Sequence, residues 1–167
     1  FHFTTNKIDS TNLAEGKSIN YTTGADCNNR VIDNEDFTDK GEIIFAHCAN
    51  VTIKNSKLNL DGINFFHTTN STIENNTFLT TSGYSIFLYS HSDNNLIQNN
   101  TITALSDYGH GIFIVSSSSN QILDNSIETN ADRNRGIYTA FSSMNNISSN
   151  NITTRERHSH GIQLFAT

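Results

Sequence analysis

The strongest structural signal in the sequence is the stretch Leu96-Ile97-Gln98-Asn99-Asn100-Thr101-Ile102, which is followed by Gly111-Ile112-Phe113-Ile114. Both blocks recur in step along the chain, about every 20 to 25 residues. A repeat of this length is typical of solenoid proteins. The other copies of the first block are Thr52–Leu58, Thr72–Phe78, Gln121–Ile127 and Asn146–Ile152, and those of the second are Gly62–Phe65, Ser85–Leu88, Gly136–Thr139 and Gly161–Leu164.

Each repeat holds two short segments in which apolar and polar residues alternate, and this period of two predicts β-strands. One coil of such a chain, here called a rung, cannot bury its own inward face. Rungs therefore stack about 4.8 Å apart as parallel sheets around a common core. We predict an all-β, right-handed, single-stranded parallel β-helix. It forms one domain over residues 1–167, with a lead-in segment and the first rungs in 1–45 and regular repeats in 46–167.

Stacking of the repeats predicts three inward columns of apolar side chains and one column of asparagines. The asparagines fall where the chain turns between two sheets, where Asn tolerates left-handed backbone angles and can hydrogen-bond from rung to rung. We interpret all four columns as structural. The apolar columns are Ile53, Ile73, Ile97, Ile122 and Ile147; Leu58, Phe78, Ile102, Ile127 and Ile152; and Ile63, Ile86, Ile112, Ile137 and Ile162. The asparagine column is Asn76, Asn100, Asn125 and Asn150.

Composition and charge exclude several classes of protein. Disorder is excluded because 19 Ile and 11 Phe are spread along the whole chain. The net charge of −6 argues against a nucleic-acid partner, which needs a dense Lys/Arg surface. No apolar run reaches the roughly 20 residues that span a bilayer. The start Phe1-His2-Phe3 lacks the features of a signal peptide, so the chain reads as a mature or excised segment.

Covalent modification is indicated by two features. Cys27 and Cys48 lie about one repeat apart. They form either a disulfide between neighbouring rungs, if the compartment is oxidising, or two buried free thiols; both alternatives stay open. Seven Asn-x-Ser/Thr triplets are possible N-glycosylation sites. Their asparagines are Asn20, Asn50, Asn70, Asn75, Asn99, Asn146 and Asn151.

The pattern Asn-x-x-Ile-x-Asn-Asn-x-Ile, followed by Gly-Ile-x-Leu, resembles the repeats of NosD-type, pectate-lyase-like surface proteins, which are abundant in methanogenic archaea. Upstream, 6–12, 16–17 and 41–53 resemble the segment that leads into such repeats. The resemblance implies the fold and an extracellular or cell-surface location. It implies little about activity, because this fold carries lyases, hydrolases, epimerases, adhesins and envelope components. The family's label sometimes includes copper, but the sequence has no compact Cys/Met/His cluster, and we predict no metal and no cofactor.

The loops before the Gly-Ile strands carry the most varied chemistry, and in register they stack as outer columns. Arg and His beside Asp suit a polysaccharide lyase, which neutralises a uronate carboxylate and removes a proton. A glycosidase needs paired carboxylates, and Asp107 and Asp132 are the available pair. Outward loops are usually charged for solubility, so enzymatic activity is left open and a non-enzymatic role is favoured. The weak catalytic candidates are Asp107, His110, Asp132, Arg133, Arg135 and His160.

Alternation along the Gly-Ile strands also predicts an aromatic stripe that faces away from the core. A contiguous exposed apolar stripe usually marks a contact surface. Three explanations of the stripe stay open: the chain's own N-terminal segment covers it, a neighbouring subunit packs against it, or sugar rings stack on it. The binding or assembly residues are Phe66, Phe87, Tyr89, Phe113, Val115, Tyr138 and Phe165.

The leading functional hypothesis is a non-enzymatic extracellular structural protein that self-assembles into a cell-surface layer, sheath or fibre. The repeat runs into Ala166-Thr167 without a cap, and the uncapped strand edges invite pairing with a second copy, unless the chain is a fragment. The alternative is a carbohydrate-active or carbohydrate-binding β-helix. The expected partner is accordingly the protein itself or a polysaccharide.

Overall fold

The computed structural model describes residues 7–166. Within this range the chain forms a parallel β-solenoid with one short 3-10 helix, Gly24–Asp26. The strands, in chain order, are β1 (Leu13–Ala14), β2 (Lys17–Thr23), β3 (Val31–Asp33), β4 (Asp36–Phe37), β5 (Lys40–Ala46), β6 (Thr52–Lys54), β7 (Lys57–Asn59), β8 (Ile63–Phe66), β9 (Thr72–Glu74), β10 (Thr77–Thr80), β11 (Ile86–Tyr89), β12 (Leu96–Gln98), β13 (Thr101–Ala104), β14 (His110–Val115), β15 (Gln121–Leu123), β16 (Ser126–Thr129), β17 (Arg135–Ala140), β18 (Asn146–Ser148), β19 (Asn151–Thr154) and β20 (His160–Phe165).

The strands make three sheets, and each complete rung contributes one strand to each sheet. Sheet A has the order β1-β2-β5-β8-β11-β14-β17-β20. Sheet B contains β3, β6, β9, β12, β15 and β18, and sheet C contains β4, β7, β10, β13, β16 and β19. Apart from the antiparallel pair β1 and β2, the paired strands in these sheets are parallel. The predicted all-β solenoid is confirmed.

The three predicted apolar columns run in register through the core. Ile97, for example, pairs with Ile73 on one side and Ile122 on the other, and all three are fully buried. In the last described rung, which has a neighbour on one side only, Ile162 is 49% exposed. The columns also extend toward the N-terminus beyond the residues that the repeat identified, to Ile32, Phe37 and Ile43.

The asparagine column lies inside the corner between sheets B and C. The side-chain Nδ2 and the backbone N–H of Asn100 both donate to Oδ1 of Asn125, each at 3.0 Å. Nδ2 of Asn100 also donates to the carbonyl oxygen of Ile73 at 2.9 Å. Asn76 and Asn150 make the corresponding bonds in neighbouring rungs. The column therefore pairs buried amide and backbone groups, whose burial would otherwise destabilise the fold.

The left-handed backbone at this corner belongs to the residue before each column asparagine. Asn75 and Asn99 have φ values of 55° and 54° and are exposed. Neither Asn76 nor Asn100 has a positive φ. The expectation that one asparagine both turns the chain and pairs between rungs is therefore wrong. An exposed residue adopts the left-handed angles, and its buried neighbour makes the hydrogen bonds.

A disulfide joins Cys27 and Cys48 at the corner between sheets A and B, with Cα atoms 5.6 Å apart. Of the two alternatives that the sequence leaves open, the structure has this one. In later rungs hydroxyl side chains occupy the same column: the backbone N–H of Thr68 donates to Oγ of Ser92 at 3.2 Å, and that of Ser92 donates to Oγ of Ser117 at 3.1 Å. At this corner position a covalent bond thus links two early rungs, and hydrogen bonds from hydroxyl side chains link the later rungs.

Candidate functional site

The outer face of sheet A carries the aromatic side chains expected from strand alternation. In β11, Ile86 and Leu88 point into the core and are fully buried, whereas Phe87 is half-buried and Tyr89 is 39% exposed. Parallel pairing arranges the outward side chains in two columns. The first contains Phe87, Phe113 and Tyr138, and the second contains Phe66, Tyr89 and Val115.

Rings of the first column stack directly on one another. The ring centroids of Phe87 and Phe113 are 5.3 Å apart with planes 18° from parallel, and those of Phe113 and Tyr138 are 4.8 Å apart at 5°. Tyr84 packs against this column, 5.2 Å from Phe87 and 5.0 Å from Phe113. Such contacts stabilise ring pairs beyond simple burial. The column is therefore an ordered array of rings that spans three rungs.

The second column is shorter than the predicted stripe. The Phe66 ring lies 6.0 Å from that of Tyr89, and Val115 follows in the next rung. Ala140 comes next, and Phe165 lies beyond it and packs on Phe141 at 5.4 Å. The expectation of one contiguous stripe that includes Phe165 is wrong, because Ala140 interrupts it. We call Phe66, Tyr84, Phe87, Tyr89, Phe113 and Tyr138 the aromatic face.

The predicted set of binding residues lacked Tyr84, which packs against three other aromatic rings of this surface. Tyr84 lies in the irregular corner before Ser85, where the sequence departs from the Gly-Ile pattern. Pairing of Ile86 with Ile112 puts Tyr84 level with His110. The repeat alignment of Ser85 with Gly111 could have identified Tyr84, because one position upstream it aligns Tyr84 with His110.

His110 is a buried member of the ring array. It is 5% exposed and lies 5.3 Å from Tyr84 and 5.4 Å from Tyr138. Its Nδ1 accepts the backbone N–H of Arg135 at 3.2 Å. Burial, and then the positive charge of Arg135, lowers the pKa of His110 from 6.5 to about 4. The expectation that His110 belongs to an outward, charged loop is wrong, since the ring is buried and neutral near pH 7.

The other catalytic candidates stack in the expected register, but their side chains make contacts within and between the loops. Arg135 pairs with His160 in the next rung, and its guanidinium lies over the Tyr138 ring at 5.1 Å. Arg133 likewise lies over Tyr108 at 5.2 Å. Oδ1 of Asp107 accepts the backbone N–H of Asp132 at 3.1 Å. These groups hold neighbouring turns together, and a catalytic role for them stays a prediction.

A hollow of about 250 Å³ opens beside one end of the aromatic face. Phe66, Tyr84 and Phe87 line one side of it, and Glu42, Asp61 and Asn64 supply polar groups. Nδ2 of the buried Asn64 donates to Oε1 of Glu42 at 3.0 Å. Aromatic faces and hydrogen-bonding groups thus border the same small space, which is the composition of a ligand site.

Both carboxyl groups of the hollow have shifted pKa values. Burial raises the pKa of Glu42, and the negative charge of Asp61 raises it further. Burial also raises the pKa of Asp61, and the charge of Glu15 adds to this, although a hydrogen bond from Ser82 acts in the opposite direction. The sequence did not reveal this pair, because neither residue lies in a repeated block and only the coiling brings them together.

Three histidines stack at the corner that follows the sheet A strands. The ring centroids of His47 and His67 are 4.7 Å apart, with planes 18° from parallel, and His91 lies 5.8 Å from His67. Burial, and then the neighbouring His47 and His91, lowers the pKa of His67. The sequence analysis did not single out this column, although His47 and His67 occupy equivalent positions of two rungs; the corner that contains His91 is one residue longer.

Six of the seven possible glycosylation sites are accessible. Asn20 is half-buried in β2, and the other six are exposed. Glycosylation stays a prediction at all of them. The exposed acceptors are Asn50, Asn70, Asn75, Asn99, Asn146 and Asn151.

Comparison with protein families finds a match over nearly the whole chain. The family model NosD, described as periplasmic copper-binding protein, matches residues 2–166. Comparison with curated proteins and with solved structures finds no match. Among the described residues, no helix has the length and apolar character needed to cross a membrane.

The residues between 7 and 166 do not fit a copper centre. Copper favours thiolate, thioether and imidazole ligands, but Cys27 and Cys48 are bonded to each other and the single Met144 is 79% exposed. The nearly parallel rings of His47 and His67 direct their in-plane nitrogen lone pairs side by side rather than toward one point. No group of three or more His, Cys, Asp or Glu in the described chain could hold a metal ion.

Proposed function

The chain belongs to the NosD family of periplasmic parallel β-helix proteins, and from this premise and its surface geometry we propose that it binds carbohydrate outside the cytoplasm, without catalysis. The Cys27–Cys48 disulfide supports an oxidising compartment such as the periplasm or cell surface. The observation that carries the proposal is the hollow in which the polar groups of Glu42, Asp61 and Asn64 adjoin the aromatic face.

Sugars combine the two properties that this surface matches. The C–H face of a pyranose ring is apolar and packs on aromatic rings, while its hydroxyl groups donate to carboxylates and amide oxygens. The hollow holds about 250 Å³, which is below the range of drug-sized ligand pockets and suits one sugar ring. Phe113 and Tyr138 continue the ring surface along the solenoid axis, where further units of a chain could lie.

Binding of polysaccharides to the purified full chain tests the proposal. Calorimetric titration against a panel of neutral and uronate-containing polysaccharides should identify a ligand. Phe87→Ala should then weaken binding about tenfold, since it removes a ring that borders the hollow. Phe141→Ala is the matched control, because Phe141 is 61% exposed and lies outside the aromatic face. Absence of binding across the panel, or equal affinity of the wild type and Phe87→Ala, would overturn the proposal.

Self-assembly into a layer, sheath or fibre stays a prediction. Lateral packing through the aromatic face would use the same rings as a sugar, so the two functions would compete for Phe87. Sedimentation over a wide concentration range distinguishes them. A carbohydrate-binding module sediments as one species whose mass does not change with the Phe87→Ala substitution, whereas a lateral assembly dissociates in that variant.

A further inference from the structure

The corner between β16 and β17 concentrates buried polar atoms that have no hydrogen-bond partner. Within residues 7–166, such atoms include Thr129 Oγ1, Asn130 Oδ1, both amide atoms of Asn134, and Asp132 Oδ1, which has no hydrogen bond but lies 3.5 Å from Nδ1 of His158. The residues Thr129 and Asn134 are fully buried. Buried donors and acceptors without partners destabilise a fold. Five of them lie within six residues of this corner, where a bound ligand would pair them.

Neighbouring rungs do not share this feature. At the positions of Asn130 and Asn134, the preceding rung has Leu105 and Gly109, and the following rung has Arg155 and Ser159. The two asparagines are therefore special to this corner, whereas Thr129 and Asp132 have Thr154 and Asp107 at the equivalent positions of a neighbouring rung.

Four of the five unpaired atoms are oxygens and one, Nδ2 of Asn134, is a donor, which favours a cation over an anion. Nδ2 of Asn130 donates to Oε1 of Glu128 at 2.9 Å, so its Oδ1 is the atom on the buried side. Asn130, Asp132 and Asn134 carry oxygens on alternate residues, and the chain reverses between the last two at Arg133, whose φ is 57°. Oxygens on alternate residues of a short loop are the arrangement in which calcium loops present their first ligands.

We propose that this corner binds a hard divalent cation, Ca²⁺, through side-chain oxygens of Thr129, Asn130, Asp132 and Asn134. Ca²⁺ accepts six to eight oxygen ligands in flexible geometry, whereas Mg²⁺ demands a near-ideal octahedron that a pre-formed corner supplies less readily. One carboxylate among neutral oxygens sets a dissociation constant on the order of 10⁻⁴–10⁻³ M, the range of extracellular modules.

Two exposed cationic side chains compete with the ion for Asp132. Nδ1 of His158 lies 3.5 Å from Oδ1, and Nε of Arg133 lies 3.8 Å from Oδ2. Both side chains lie on the solvent side of the corner, where they can move away from the carboxylate. Replacement of His158 by Asn, which tolerates the left-handed backbone at this position, should therefore tighten cation binding.

Thermal unfolding of the full chain tests the site. In about 10 mM Ca²⁺ the Tm should rise by about 4 °C relative to a chelator, and an equal concentration of Mg²⁺ should raise it less. Asn134→Ala should abolish the rise. In the chelator this variant should be no less stable than the wild type, because it removes an unpaired buried amide.

Two further variants make the outcome specific. His158→Asn should enlarge the Ca²⁺-dependent rise, and Asp124→Asn, which changes an exposed carboxylate at another corner, should leave it unchanged. If Ca²⁺ does not stabilise the wild type, or if Asn134→Ala keeps the full rise, the corner holds at most water and the proposal is overturned.

Discussion

The corner between sheets B and C and the outer face of sheet A belong to the same rungs but follow different rules. At the corner, Asn76, Asn100 and Asn125 repeat one residue type and one set of hydrogen bonds. On the outer face, Tyr84, His110 and Arg135 occupy equivalent positions with unlike side chains. Repetition is required where each rung must satisfy buried polar groups in the same way. Where it is absent, the residues are free to form a site.

The largest expected effect is the loss of one column asparagine. Asn125→Ala would leave the backbone N–H of Asn100 without its acceptor in the core, and would remove the side-chain hydrogen bonds that Asn125 makes to Asn100 and to the carbonyl oxygen of Ile97. The free energy of unfolding should fall by about 3–5 kcal/mol, because each unpaired buried group costs about 1–3 kcal/mol. Urea denaturation measures it, with the exposed neighbour Ser126→Ala as control. Equal stability of the two variants would contradict the structural role of the column.

Reduction of the disulfide should have the next largest effect. Cys27 and Cys48 are 21 residues apart in sequence, and closing a loop of this size stabilises a fold by about 3 kcal/mol. The double variant Cys27→Ala/Cys48→Ala should have this lower stability with or without a reductant. Wild-type protein whose urea midpoint does not respond to a reductant would show that the hydroxyl column alone is enough to hold the early rungs.

Acid should destabilise the outer face through His110. The folded state lowers the pKa of this residue from 6.5 to about 4. The stability that the fold gains from the neutral His110 ring is therefore complete above pH 6.5 and is lost as the pH falls toward 4. Between about pH 8 and about pH 5 the loss is about 2 kcal/mol. His110→Asn keeps an acceptor for the Arg135 N–H but should lack this dependence. A variant as acid-sensitive as the wild type would assign the effect to another group.

The smallest effect is expected from the ion pair between Arg155 and Glu128. Nε of Arg155 lies 2.8 Å from Oε1 of Glu128, but the two side chains are 60% and 39% exposed. Exposed pairs contribute little, because solvent screens them and two flexible side chains must be ordered. Arg155→Gln should leave the urea midpoint unchanged at low and at high salt. A clear shift of the urea midpoint would show that this exposed ion pair also stabilises the fold.

The repeat in the sequence was enough to predict the strands, the inward columns and the position of the asparagine column. Each depends on local alternation and on identical residues at a fixed period, and both are visible in one dimension. The different roles of Asn99, which adopts the left-handed angles, and of Asn100, which makes the hydrogen bonds, were not predicted. The packing of the corner decides which of the two adjacent asparagines has which role.

The sequence by itself therefore determined the fold of this protein, since stacking identical rungs is the way to bury the apolar face of each one. Only the tertiary structure decided which side chains form the candidate sites. Glu42 and Asp61 meet at the hollow, and His110 is buried among rings, because coiling brings residues of different rungs within a few ångströms. Irregular corner lengths set those meetings, and the period of the repeat does not encode them.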